Sequence, residues 1–63
     1  MDYKELFEMY GLRELSSGTN EDGENVIVHI NEEYAQIETL QKNGWCRVNI
    51  YWKDGTTEEL YKR

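Results

Sequence analysis

Few residues in this chain are able to do covalent or acid–base chemistry. There is one histidine, His29, and one cysteine, Cys46; Ser16 and Ser17 supply hydroxyls, and Glu32-Glu33 and Glu58-Glu59 are adjacent acid pairs. Nucleophilic catalysis needs a nucleophile, a base and a group that orients the base. His29 falls in the middle of an alternating apolar run, while Ser16 and Ser17 fall in a polar stretch distant from it. Strand neighbours point to opposite sides, so neither glutamate pair can share a proton. Cys46 is expected on the other side of the sheet from His29, as a buried structural thiol. A metal staple fares no better, because structural zinc takes four Cys/His ligands. Asn20-Glu21-Asp22-Gly23 has the look of a calcium loop. Aligning Gly23 with the glycine of such a loop, however, puts Gly18 at its start and His29 where a bidentate glutamate belongs. The sequence therefore predicts no catalytic residue, no metal site, no cofactor and no small-molecule substrate.

A second kind of chemistry is recognition. Ile27, His29, Tyr34, Leu40, Trp45, Arg47, Tyr51 and Tyr61 share one parity in the strand register read below, and aromatic residues with an arginine among them are what interface centres are enriched in. Arg47 is placed opposite Tyr61, within reach of a cation–π contact. Three readings of this set are open. The sheet could curl into a barrel, or Leu12 and Leu15 could fold over it, making the set a second core. It could be a surface for a protein partner or for self-association. It could also stack the bases of a single strand through Trp45, Tyr51, Tyr61 and Arg47.

Four strands must position these residues. Asn25–Asn31 alternates, with Val26, Val28 and Ile30 on one side and Ile27 and His29 on the other. After Glu32-Glu33, residues 34–42 repeat the pattern with Ala35, Ile37 and Thr39 inward, and a four-residue loop closing on Ile30 and Ala35 is expected. Asn-Gly and Asp-Gly beside alternating apolar residues are strong hairpin signals. A two-residue Asn43-Gly44 loop pairs Thr39 with Val48, Ile37 with Ile50 and Ala35 with Trp52, so each inward residue meets another. A three-residue Lys53-Asp54-Gly55 loop then pairs Trp52 with Thr56 and Val48 with Leu60. The expected strands run 25–31, 34–42, 45–53 and 56–62. Their inner side comprises Val26, Val28, Ile30, Ala35, Ile37, Cys46, Val48, Ile50, Trp52 and Leu60.

Upstream, Tyr3, Leu6, Phe7 and Tyr10 form one apolar stripe at helical period, which predicts a helix over 2–10. Asp2 is its N-cap, Glu5 suits the positive end of the dipole, and Gly11 can close it in the left-handed region. So short a helix must dock on the sheet to persist. Ser16–Glu24 has no apolar residue and reads as a loop. The predicted fold is α+β: one domain over 1–63, with a helix packed on one face of a four-stranded antiparallel meander.

The run Val48-Asn49-Ile50-Tyr51-Trp52-Lys53-Asp54-Gly55, followed by Tyr61-Lys62-Arg63, resembles a hairpin of the SH3-like small barrels, which often read Val-x-Val-x-Trp-x-Asp-Gly. The resemblance covers about a third of the chain. It implies a small closed barrel as the alternative fold and carries no functional residue with it.

With 63 residues, no proline and a single cysteine, the core is expected to supply only about 3–5 kcal/mol. No apolar run approaches a membrane span, and Met-Asp-Tyr-Lys-Glu lacks signal-peptide character. A soluble cytoplasmic protein is expected, with no membrane partner. The net charge of −6 divides into −8 over residues 1–40 and +2 over residues 41–63. This acidic balance argues against a nucleic-acid partner, since phosphate contacts need a basic face. The sequence reads as a small acidic, non-enzymatic protein-interaction or regulatory module. In charge and size it is similar to regulators carried by phages and mobile elements, a subclass of which mimics DNA to block nucleic-acid enzymes.

Overall fold

The computed structural model describes residues 1–63. Helix α1 (Tyr3–Tyr10) is followed by strands β1 (Arg13–Thr19), β2 (Asn25–Ile30), β3 (Tyr34–Leu40), β4 (Cys46–Trp52) and β5 (Thr57–Lys62). All five strands form one antiparallel sheet in chain order, β1-β2-β3-β4-β5, so β1 and β5 are its edges. The architecture is α+β, with five strands in place of the four expected. The sheet is an open meander in which β1 and β5 are not paired, which sets aside the closed barrel.

The helix forms where its end signals lie. The Asp2 carboxylate accepts a hydrogen bond from the Glu5 N–H at 2.9 Å. At the other end Gly11, at φ 72°, donates its N–H to the Phe7 carbonyl. Tyr3 and Leu6 are the buried positions of the stripe, and the Tyr3 hydroxyl donates to the Asn31 carbonyl at 2.6 Å. That bond ties the helix to the β2–β3 turn.

Strand β1 corrects the loop expected over 16–24, since only its last part is a turn. Arg-Glu-Leu-Ser-Ser-Gly-Thr has no apolar alternation, so propensity offers no cue. It is a strand because β2 presents a row of free backbone groups for it to pair with. The register shifts between Arg13 and Ser16, where Glu14 and Leu15 together face His29 as a bulge. Leu12 and Leu15 stand exposed and fold over neither face.

In the β2–β3 hairpin Ile30 sits opposite Ala35 and Val28 opposite Ile37. The Asn31 side chain accepts from the N–H groups of Glu33 and Tyr34, each at 2.8 Å. This Asx turn lets two glutamates form the bend with no residue at positive φ.

The β3–β4 register corrects the expected one. Ala35 faces Tyr51, Ile37 faces Asn49 and Thr39 faces Arg47, while Leu40 faces Cys46. This is a slip of one residue from the expected pairing, and it turns β4 over. The cause is the turn. Gln41 and Trp45 close a three-residue loop, Lys42-Asn43-Gly44, in which the Gly44 N–H reaches the Gln41 carbonyl and Gly44 lies at φ 89°. The Asn43 side chain then accepts from the Trp45 N–H at 3.0 Å. That is a type I turn with a glycine bulge, one residue longer than a type I′ turn. The same geometry recurs at Glu21-Asp22-Gly23 and at Lys53-Asp54-Gly55. In the last hairpin Val48 faces Leu60 and Arg47 faces Tyr61, so β5 follows β4 onto the other side.

The fully covered core is small. Tyr3, Leu6, Ile30 and Ala35 form it, with Val28, Ile37 and Tyr51 packed against them. Val48 is buried on the opposite side of the sheet. There the Lys62 ammonium meets the Glu38 carboxylate at 3.1 Å. Lys62 and Glu38 belong to strands on either side of β4, so their ion pair roofs the Val48 region.

Candidate functional site

Direct cross-strand partners share a face, so the register sorts every candidate residue. One side carries α1 together with Val28, Ile30, Ala35, Ile37 and Tyr51. The other side carries no helix and holds Ile27, His29, Tyr34, Leu40, Cys46, Val48, Ile50, Trp52 and Leu60, with Gln36, Glu38, Glu58 and Lys62 among them.

The expected interaction set is therefore split. Ile27, His29, Tyr34 and Leu40 stay together on the bare side. Trp45, Arg47, Tyr51 and Tyr61 lie on the helix side, and Tyr51 is part of the core there. In their place the bare side gains Cys46, Val48, Ile50, Trp52 and Leu60, all expected inside. The parity that faces the helix includes Arg47 and Asn49, while the other is apolar throughout, so alternation alone points to the wrong one. The signal that points to the right one is the shared Glu/Lys-Asp/Asn-Gly form of three turns, which calls for one loop length at all three.

The bare side has its own order. His29, Tyr34 and Trp52 form a row, with ring centroids 5.8 Å and then 5.1 Å apart. Both pairs are tilted, an arrangement the ring quadrupoles favour. The His29 ring also contacts the Glu14 backbone carbonyl at the β1 bulge. Farther along the same side, toward the β3–β4 turn, Ile27 (39% exposed), Leu40 (45%) and Leu60 (52%) leave apolar surface about Val48. Glu38, Glu58 and Lys62 are the only formal charges that β2–β5 place on this side, although the whole chain carries −6.

At the end of the sheet beyond Trp52, the β2–β3 and β4–β5 turns meet through a bond from the Lys53 N–H to the Glu33 carbonyl. A groove of about 750 Å³ opens there between the helix and these turns, walled by Tyr3, Phe7 and Trp52 and carrying the charges of Asp2, Glu8 and Glu32 against Lys4 and Lys53. Its volume falls in the range of a ligand-sized cleft.

At the other end of the helix side, Arg63 lies 5.2 Å from the Trp45 ring centroid, and Arg47 faces Tyr61. The Tyr61 hydroxyl donates to the Glu59 carboxylate. That bond, with a smaller cost of removing the hydroxyl from water, raises the Tyr61 pKa above its ordinary 10.0. No group of three or more His, Cys, Asp and Glu side chains is placed to hold a metal ion. No helix is long and apolar enough to cross a membrane. No protein-family model, curated protein or solved structure matches the chain.

Proposed function

We propose that this chain is a small, acidic, non-enzymatic regulatory module of the cytoplasm. It acts by docking the bare side of its sheet on a protein whose contact site is apolar at the centre and basic around it. The observation that carries this reading is the uncovered strip of Ile27, Leu40 and Leu60 flanking Val48, on the same side of the sheet as the Tyr34–Trp52 pair. Charge supplies the chemistry of the partner. The bare side is nearly neutral, while the bounding turns carry Glu21, Asp22, Glu24, Glu32 and Glu33. Desolvating the centre therefore buries few charges, and the acidic turns steer a basic rim toward it. A nucleic-acid enzyme, whose substrate cleft is basic, is one class of protein with such a rim.

The test compares immobilised wild-type protein with the double variant Ile27→Lys/Leu40→Lys and with Trp45→Ala. A specific partner should be retained by wild type and by Trp45→Ala and lost by the double variant, with retention weakening as salt rises. Equal retention by all three would remove the bare side from the reading.

A second reading has an observation of its own. Trp45, Arg47, Tyr61 and Arg63 gather at one end of the helix side, and such a group can stack and neutralise a single nucleic-acid strand. Glu59 on Tyr61 works against it. Titrating tryptophan fluorescence with an oligonucleotide at low and high salt separates the two. Quenching at low salt that Trp45→Ala abolishes would favour the strand-binding reading.

A further inference from the structure

We infer that strand β5 is a self-complementary edge through which two copies of this chain join their sheets, in a register centred on Leu60. This goes beyond the docking reading and uses the backbone edge of β5, with Leu60 bordering both the edge and the bare side.

All six residues of β5 are exposed, and the strand has no bulge and no proline. The Trp52 N–H bonds to the Thr56 carbonyl at 2.8 Å. Bonded and non-bonded pairs alternate along an antiparallel ladder. Even-numbered β5 residues therefore turn their backbone groups toward β4, and Thr57, Glu59 and Tyr61 turn theirs outward with no strand to receive them. An edge of this kind is a template for another strand. The opposite edge, β1, is blunted by its Glu14–Leu15 bulge and by Gly18.

A two-fold axis perpendicular to the sheet keeps like faces together only when residues of the same parity are paired. Centring it on Leu60 sets Leu60 against Leu60 of the second copy, Glu58 against Lys62 and Thr57 against Arg63. Glu59 and Tyr61 then exchange backbone bonds across the axis. Every charged side chain that meets another across the seam meets its opposite. The neighbouring register centred on Glu59 would set that carboxylate against its own copy. The one centred on Tyr61 would shorten the overlap. Opposite charges directly across a ladder favour a pair and like charges oppose it, so the sequence selects one register. The seam is itself neutral, with Glu58 and Glu59 balanced by Lys62 and Arg63, and it keeps the remaining acids of each copy off the axis. Joined this way, two bare sides become one continuous surface.

Sedimentation velocity over a wide concentration range, together with amide hydrogen exchange, tests the seam. Wild type should dimerise. The amides of Glu59 and Tyr61 should slow by about tenfold or more as concentration rises, while amides on β1 stay unchanged. Glu58→Lys alone and Lys62→Glu alone should each be monomeric, because each sets like charges across the seam, the second also giving up the Lys62–Glu38 pair within the monomer. An equimolar mixture of the two should dimerise again, because the lysine introduced in one then meets the glutamate introduced in the other. Both positions are exposed, and circular dichroism checks that each variant folds. A wild type that stays monomeric at its solubility limit overturns the inference. So does a dimer indifferent to both substitutions, or one without protection at Glu59 and Tyr61.

Discussion

The two sides of this sheet differ in what covers them more than in what they are made of. The helix side includes Asn49, Thr57 and Glu59 yet holds nearly all of the buried core. The bare side, with Ile27, Ile50, Trp52 and Leu60, is at least as apolar and is left half open. Composition therefore does not decide which side becomes the interior. The decision comes from where α1 docks and from which parity of β4 a single turn directs toward it.

That comparison can be broken most forcefully at the helix. Leu6 is fully buried, and Leu6→Ala should cost about 3 kcal/mol. Against a core of this size that leaves the chain largely unfolded, as denaturant titration would show. The register that sorts the two sides is sharpened next. Leu40 and Cys46 are direct partners at a non-hydrogen-bonded position, where Cα atoms come within bridging distance. Leu40→Cys should oxidise readily to a disulfide with Cys46, with loss of free thiol and a gain of about 2 kcal/mol. Failure to close would return β4 to the other register. At the turn itself, Gly44 has open space around its Cα but sits at positive φ. Gly44→Ala should cost about 1 kcal/mol through backbone strain alone, measured as a lower denaturant midpoint. On the bare side Ile27→Lys should change stability by less than about 0.5 kcal/mol, the contrast that separates a docking surface from a core.

The smallest effect is in acid. The Thr56 hydroxyl and N–H both donate to the Asp54 carboxylate, holding its pKa below the ordinary 3.8. A carboxyl depressed in the folded state stabilises the fold above pH about 3.8. That contribution is lost as pH falls through the lower folded value, because the unfolded chain takes up the proton first. Asp54→Asn should flatten this part of the pH–stability curve, as thermal melts below pH about 4 would show.

Much of this is legible in the residues themselves. Asp2, Glu5 and Gly11 mark the ends of α1, and the apolar stripe marks its buried side. The β2–β3 pairing follows from alternation, and the β4–β5 pairing from reading Gly55 as a bulge. Two things are not legible from local pattern. Strand β1 takes its conformation from the neighbour it pairs with, so its own serines and glycine say little. The parity of β4 hangs on one residue of loop length at Asn43-Gly44. With Arg47 and Asn49 between Trp45 and Tyr51, hydrophobicity favours Val48, Ile50 and Trp52 as the covered parity, and the turn overrides it. The candidate surface is thus half legible: alternation groups Ile27, His29, Tyr34 and Leu40 correctly, and the misread turn gives them the wrong β4 and β5 neighbours.

Every strand lies beside its neighbour in sequence, and the bends between them are short. Assembly can accordingly proceed as a zipper, each closure spanning only a few residues before the next strand is added. Topologies so local fold quickly for their stability, with single hairpins closing in about 1–10 μs. Such a chain needs no long search to find its shape, and its outermost strands can peel away and return while the middle three stay paired.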